Sequence, residues 1–274
     1  MNTIHIDERR AAAAASARDD AGAPGAVGAA EASARRDLAA CYRLADRMGW
    51  SDVISAHISH RVPGEPSRFL INPYGMLFDE ITASSLIKTD SQGTIYSRSD
   101  FGVNPAVLVI HAAVLDARPD VNCVMHLHTR DGTAVSMQDE GLLPASQHAL
   151  VVWDKLCYHE FEGLALDDDE KRSLVRDLGP EKKLMLLRNH GTLSCGATMG
   201  ETFMLMYQLE RACRMQVAAL GGGRPLRPIA PEVLAHSAAQ GTRIFGKDGF
   251  VPQGRMEWAA LLRRLDREDP GYRD

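Results

Sequence analysis

The 274-residue sequence lacks any run of about eighteen apolar residues, the length that a membrane-spanning helix requires. It also lacks a basic excess: the formal net charge is −5 at pH 7, whereas nucleic-acid-binding chains usually carry a basic face. The five cysteines are odd in number, widely spaced and set in apolar contexts, which favours reduced thiols over a disulfide framework. We therefore expect a cytoplasmic protein that binds neither membrane nor nucleic acid.

The remaining composition is that of a globular protein with a substantial core. Hydrophobic residues make up 45% of the chain and charged residues 24%. Residues 1–30 are rich in alanine and glycine and predict a disordered tail. Residues 31–274 predict a single domain, with a C-terminal extension from about residue 224.

Helical and strand patterns alternate along the chain, which predicts an α/β protein. We expect a three-layer α/β/α sandwich around a mixed, largely antiparallel sheet. Predicted helices cover 34–48, 105–117, 130–138, 167–178 and 200–220, and a further helix is expected to start at Thr82. Predicted strands cover 54–62, 69–71, 94–96, 121–129 and 184–191.

Two of these strands end in histidines. His126 and His128 are two positions apart, so strand alternation puts both on one face, and His190 ends the apolar stretch 184–191. A His-x-His pair alone also suits the solvated face of a strand. Three histidines delivered by two strand ends instead favour an open metal site, in which three neutral nitrogens leave room for water or substrate.

Several short motifs agree in order and spacing with one known family over about two-thirds of the chain. They are Ile58–Val62, Asn72–Gly75, Ile81–Leu86, Ala117–Val121 after His111, His126–Thr129 and Arg188–Gly191. The segment from about Arg35 to Gly223 thus resembles the class II aldolase/adducin family.

The resemblance implies a nine-stranded α/β/α fold and a ring-shaped homotetramer whose sites lie near subunit interfaces. It also implies one divalent ion per chain on His126, His128 and His190. Zinc is the first expectation, with iron, manganese or cobalt as alternatives.

Two departures from the family pattern bear on function. Val107 stands where the family's sugar-phosphate aldolases carry a catalytic glutamate, four residues before His111. Their phosphate-binding positions correspond to Ala56-His57, Tyr74-Gly75 and Pro105-Ala106. The Pro-Ala pair has no hydroxyl donors, and Tyr74 fills space that a phosphate needs. The resemblance therefore implies a non-phosphorylated substrate.

Two other segments resemble the adducin branch of the family. They are Asn104-Pro105, which leads to His111, and Leu142-Leu143-Pro144, which leads to Tyr158-His159.

The expected substrate pocket contains His57, Asn72, Tyr74 and Gly75. His57 fits two interpretations equally. It lines the space left by the phosphate, or it is a polar strand residue that faces water.

Two residues are candidates for the missing proton carrier. His148 could replace the glutamate, although it also suits a solvated loop, and Tyr158 could reach a neighbouring site across an interface or simply pack half-buried. His111 lies at helical spacing with Leu108 and Leu115 and predicts a core histidine that supports the metal-binding strand.

Two function classes remain. The first is a metal-dependent lyase that acts on C–C bonds of a non-phosphorylated hydroxy-carbonyl or hydroxy-acid, as an aldolase or decarboxylase with a small-molecule substrate. The second is a non-catalytic, adducin-like scaffold. The three histidines favour the first class and Val107 favours the second.

Overall fold

The computed structural model describes residues 28–165, 168–245, 249 and 254–274. Seven strands form one sheet within these residues: β1 His57–Val62, β2 Glu65–Ile71, β3 Ile87–Asp90, β4 Cys123–Leu127, β5 Leu156–His159, β6 Leu184–Leu187 and β7 Gly191–Gly196. Their order is β3-β2-β1-β4-β7-β6-β5. Only β5 and β6 are parallel neighbours. The mixed, largely antiparallel sheet is as predicted, but the described sheet has seven strands where the resemblance implies nine.

Helices cover both faces of the sheet. Those in the described residues are α1 Ala29–Arg47, α2 Pro105–Ala117, α3 Arg130–Ser136, α4 Gln147–Val152, α5 Asp168–Leu178, α6 Met199–Gly221, α7 Pro231–Phe245 and α8 Arg255–Glu268. Helices α1, α6 and α8 share one buried apolar cluster with the sheet, and α2 and α5 share another with the opposite face. This arrangement confirms the three-layer α/β/α sandwich.

Strand β4 lies at the centre of the sheet and is buried along its whole length. Cys123 and Met125 belong to the cluster under α1 and α6, whereas Val124 belongs to the cluster under α2. Because side chains alternate along a strand, His126 shares the α2 side with Val124. The fold thus directs this histidine towards helix α2.

Helix α2 begins and ends where the sequence predicts, with Pro105 in its first turn and Asn104 as its N-cap. Helix α1 begins at Ala29, so the last residues of the expected tail belong to it. The rest of that tail, residues 1–27, lies outside the described residues.

Strand prediction was less accurate. The helix expected at Thr82 is wrong: residues 82–85 form a turn closed by hydrogen bonds between Thr82 and Ser85, and β3 follows. The strand expected at 94–96 reduces to one bridge between Thr89 and Ile95. The sequence also predicts no counterpart for strands β3, β5 and β7 or for helices α4, α7 and α8.

The C-terminal extension packs into the domain. Trp258, Leu265 and Tyr272 belong to the cluster beneath α1 and α6. The Trp258 Nε1 atom donates to Asp37 Oδ1 at 3.1 Å, and the Ala83 amide donates to the Tyr272 carbonyl at 2.9 Å. These residues are therefore part of the same core as the central sheet.

All five cysteines are free, and four of them are buried. This agrees with the expectation of reduced thiols. In the described part of the chain, no helix has the length and apolarity needed to cross a membrane.

Candidate metal centre

His126 and His128 bring two imidazoles together at the end of β4. His126 is buried within the strand, and His128 lies one residue beyond Leu127 with a quarter of its side chain exposed. Their Nε2 atoms are 3.1 Å apart. The pair therefore presents two nitrogens at the boundary between the core and the accessible surface.

His190 reaches the same point from the turn between β6 and β7. Asn189 adopts a left-handed φ of +57°, and the His190 amide closes the turn on the Leu187 carbonyl at 3.1 Å. The next residue, Gly191, lies against β4, where an added Cβ would be 2.5 Å from the Leu127 carbonyl oxygen. With glycine there, ring nitrogens of the three histidines lie within 4.8 Å of one another.

Hydrogen bonds at the second ring nitrogen orient two of the three rings. The Nδ1 of His126 is 3.0 Å from the Thr192 carbonyl oxygen, and the Nδ1 of His128 is 2.9 Å from Asp52 Oδ2. Both acceptors require Nδ1 to carry the proton, so Nε2 keeps its lone pair for a ligand. Asp52 lies 76 positions before His128, and no motif in the sequence marks it as a partner of that ring. No hydrogen bond to the His190 ring is found among the described residues.

The local environment favours neutral imidazoles, the form that binds metal. Burial lowers the pKa of His126 well below its ordinary value, and the neighbouring His190 lowers it further. Burial and the nearby His128 lower the pKa of His190 to about 4. Both rings are therefore unprotonated at neutral pH.

A divalent ion fits this donor set. The three histidines are the one group in the described chain whose nitrogen, sulfur or carboxylate atoms could hold an ion together. Three imidazoles, two of them with fixed tautomers, match the ligand count of catalytic zinc sites, which leave a position for water or substrate.

A second pair of histidines lies beside this site. His57 is only 2% exposed, which contradicts the water-facing interpretation, and its ring centroid is 5.2 Å from that of His126. The Nδ1 of His57 is 2.8 Å from Nε2 of His111, whose Nδ1 is 2.6 Å from Ser59 Oγ. His111 is fully buried, in agreement with its expected role as a core histidine.

The other expected pocket residues follow β2. Asn72 is buried, and its Oδ1 accepts a hydrogen bond from the Tyr42 hydroxyl at 2.8 Å. The Asn72 side chain is therefore already engaged with helix α1. Tyr74 is 42% exposed, and Gly75 has φ +126° and lies against Phe101. Because β1 and β2 are antiparallel, these residues lie at the sheet edge where His57 begins β1.

His148 and Tyr158 make contacts away from the three histidines. His148 begins α4, half-buried, and burial and Arg211 lower its pKa. The Tyr158 hydroxyl accepts from the Leu142 amide at 3.1 Å, and its ring lies under the Arg188 guanidinium. Within the described chain, no hydrogen bond, ion pair or ring contact joins either residue to the histidines.

Val107 lies in α2, one turn before His111, and is fully buried in the apolar cluster beneath α2 and α5. Its side chain provides neither a ligand nor a proton carrier. The position that would supply a carboxylate is thus part of the core.

Comparisons with known proteins agree with the fold and the site. Residues 36–217 match the family model of the class II aldolase and adducin N-terminal domain. A relative from Caulobacter vibrioides, whose name places it among aldolase class 2 proteins, is 50% identical over 91% of this chain and 95% of its own length. Mouse alpha-adducin is 43% identical over 87% of this chain, which spans 33% of that longer protein. The crystal structure of an aldolase II superfamily protein from Pseudomonas syringae is 45% identical and superposes with a TM-score of 0.85, covering 91% of this chain and 98% of that one.

The α/β/α sandwich is the fold of the aldolase II superfamily protein from Pseudomonas syringae. The chain belongs to the class II aldolase and adducin N-terminal domain family.

Proposed function

We propose that this protein is a divalent-metal-dependent lyase that acts on a C–C bond of a non-phosphorylated hydroxy-carbonyl or hydroxy-acid. The observation that supports this most is the convergence of His126, His128 and His190. The Nε2 atoms of His126 and His128 are 3.1 Å apart. A divalent ion held there supplies a Lewis acid that polarises substrate oxygens. Zinc is our first choice, and iron, manganese and cobalt are the alternatives.

The start of helix α2 supports a non-phosphorylated substrate. Pro105 has no backbone N–H, and the Ala106 amide already donates to the Asn104 side chain at 3.1 Å. The Val107 amide donates to the Asn104 carbonyl at 3.0 Å. The first turn therefore offers a phosphate neither a hydroxyl nor an uncommitted backbone donor.

The buried Val107 favours decarboxylation over a standard retro-aldol reaction. A retro-aldol reaction needs a group that moves a proton on the substrate, and Val107 cannot do so. Loss of CO2 generates a carbanion without a base to start it. The electrons of the broken C–C bond can pass to a metal-bound oxygen only if the carbanion is next to a carbonyl. A hydroxy-acid whose carboxylate is β to a carbonyl is accordingly the first substrate class to test.

We further propose a cytoplasmic homotetramer. The free thiols fit a reducing compartment, and the resemblance to tetrameric aldolases supports the assembly. A role for Tyr158 or His148 in proton transfer would then require a neighbouring subunit. Light scattering that returned a single 29.9 kDa chain would contradict both the tetramer and that role.

An adducin-like scaffold is the second candidate. It is favoured by the 43% identity to mouse alpha-adducin and by the apolar residue at position 107. A scaffold has no use for three convergent neutral histidines, so a metal-free protein that still assembles would favour this candidate.

The lyase proposal is tested by an activity screen. Protein loaded separately with zinc, manganese, ferrous iron or cobalt is incubated with non-phosphorylated hydroxy-acids whose carboxylate is β to a carbonyl, and released CO2 and carbonyl product are measured. We expect turnover that His128→Ala abolishes and no cleavage of fuculose 1-phosphate. Turnover of that phosphate, or activity that survives His128→Ala, would contradict the proposal.

A further inference from the structure

The chain of Ser59, His111 and His57 runs from the buried side of β1 to the metal centre. Ser59 and His57 share one face of the strand, and His111 bridges them from α2 with contacts of 2.6 Å and 2.8 Å. We infer that His57 is a catalytic hydrogen-bond donor whose Nε2–H faces the substrate and stabilises negative charge on a substrate oxygen. This inference rests on the proposed lyase function.

The ring of His57 lies beside that of His126, and one of its nitrogens has no hydrogen-bond partner among the described residues. His57 and His126 are direct partners in the β1–β4 ladder, and their ring centroids are 5.2 Å apart. The Nδ1 of His57 is occupied by His111, whereas its Nε2 has no hydrogen-bond partner among the described residues. A polar nitrogen on a ring that is 2% exposed is thus left for a ligand.

The hydroxyl of Ser59 decides which nitrogens carry protons. Ser59 is fully buried, and its Oγ has His111 Nδ1 as its one partner in the described structure. If His111 donated to Ser59, the serine proton would have no acceptor, and a buried unsatisfied donor is costly. The hydroxyl therefore donates to His111 Nδ1.

The remaining protons follow from that assignment. Burial lowers the pKa of His111 to about 3, so its ring carries one proton, which must be on Nε2. That Nε2–H donates to Nδ1 of His57. The neutral His57 ring then carries its own proton on Nε2, the nitrogen that has no partner among the described residues.

A fixed, neutral N–H donor on His57, beside a divalent ion, suits a reaction in which a substrate oxygen gains negative charge. Carbanions formed next to a carbonyl or carboxylate place their charge on oxygen, and a preorganised N–H at that position typically contributes about 10²–10³ in rate. The donor also selects for substrates with a carboxylate or enolisable carbonyl oxygen within reach of His57. Stabilisation of the substrate oxygen by this N–H requires no change in the protonation of His57.

The tautomers are tested by nitrogen-15 NMR of histidine-labelled, full-length protein, with and without zinc. We expect His57 and His111 to be protonated on Nε2 in both samples. Ser59→Ala should move the His111 Nδ1 signal towards that of an imine nitrogen without a hydrogen bond, whereas Ser67→Ala, at an exposed serine on β2, should not. A bare Nε2 on His57, or its coordination to zinc, would overturn the inference.

Anion binding tests the role of the donor, with oxalate as the probe. His57→Ala should weaken oxalate binding to the zinc-loaded protein by about 10- to 100-fold, the range for a hydrogen bond to a charged group. His57→Gln, which retains an N–H donor, should restore most of the affinity, and exposed His236→Ala should change nothing. Equal oxalate affinity in His57→Ala and wild type would overturn the inference. Failure of the wild-type protein to bind zinc, iron, manganese or cobalt would overturn the lyase proposal instead, because the tautomers are also measured without metal.

Discussion

The Asp52 carboxylate lies 2.9 Å from Nδ1 of His128, on the side of the ring opposite the metal-facing nitrogen. Asp52 belongs to the loop before β1, and β1 is antiparallel to β4, so the loop meets the histidine end of β4. The contact fixes the tautomer and the orientation of the His128 ring. A residue outside the three ligands thus helps to define the site.

Replacing Asp52 should weaken metal binding without unfolding the protein. We expect Asp52→Ala to raise the zinc dissociation constant by about 10- to 100-fold, the usual effect of losing such a partner. Titration with a competing chelator measures it. Asp100→Ala, at an exposed aspartate, is the control. An unchanged dissociation constant in Asp52→Ala would show that His128 is oriented by other contacts.

The close approach of Gly191 to β4 should be essential to the placement of His190. A Cβ at this position would lie 2.5 Å from the Leu127 carbonyl oxygen and 3.1 Å from His128 Cδ2. We therefore expect Gly191→Ala to lower both the melting temperature and the zinc affinity. Gly222→Ala should be nearly neutral, because the nearest atom to its added Cβ is 3.5 Å away. Wild-type affinity in Gly191→Ala would refute this account of the turn.

Glu210 should make stability fall as the pH rises towards neutrality. Burial against α3 raises the pKa of this carboxyl from 4.5 to about 7, although the Thr129 hydroxyl donates to it. Between these values the folded state holds a proton that the unfolded state has released. Stability is therefore lost by about 1.4 kcal/mol per pH unit as the pH rises through that window.

The variant Glu210→Gln should remove this dependence, because an amide keeps the Thr129 contact without a charge. The difference in melting temperature, Glu210→Gln minus wild type, should increase from pH 5 to pH 8. Glu181→Gln, at an exposed position, should give a constant difference. A Glu210→Gln difference that also stays constant with pH would mean that Glu210 titrates normally.

The C-terminal segment should contribute strongly to stability. Trp258 is 9% exposed and packs in the core cluster with Leu265 and Tyr272. Trp258→Ala should lower the free energy of unfolding by about 3–5 kcal/mol, since it removes a large buried side chain and a hydrogen bond to Asp37. Met256→Ala, at a residue that is 70% exposed, should change it by less than about 0.5 kcal/mol. Urea unfolding measures both free energies. If the extension were only loosely attached, Trp258→Ala and Met256→Ala would have the same free energy of unfolding.

The convergence of His126, His128 and His190 can be predicted from the sequence because the signal is local. Strand alternation places His126 and His128 on one face, and the apolar run before His190 marks a second strand end. The same reasoning did not reveal that His190 lies in a hairpin turn, because the strand Gly191–Gly196 contains two glycines and reads as a loop.

Contacts across the sheet could not be predicted in the same way. Asp52 and Ser59 are separated from their histidine partners by 76 and 52 positions, and only the pairing of β1 with β4 and α2 brings them together. For the same reason the sequence cannot decide whether His57 lines a pocket or faces water. Its burial depends on the packing of α2 over the strand.

The central claim is that His126, His128 and His190 hold one divalent ion per chain. It is tested most directly by elemental analysis of untagged protein purified without chelator, with His190→Ala prepared in parallel. We predict close to one equivalent of zinc, iron, manganese or cobalt in the wild type and a near-complete loss in His190→Ala. A wild-type protein that contains no stoichiometric metal, and whose melting temperature is unchanged by any of the four ions, would contradict the claim.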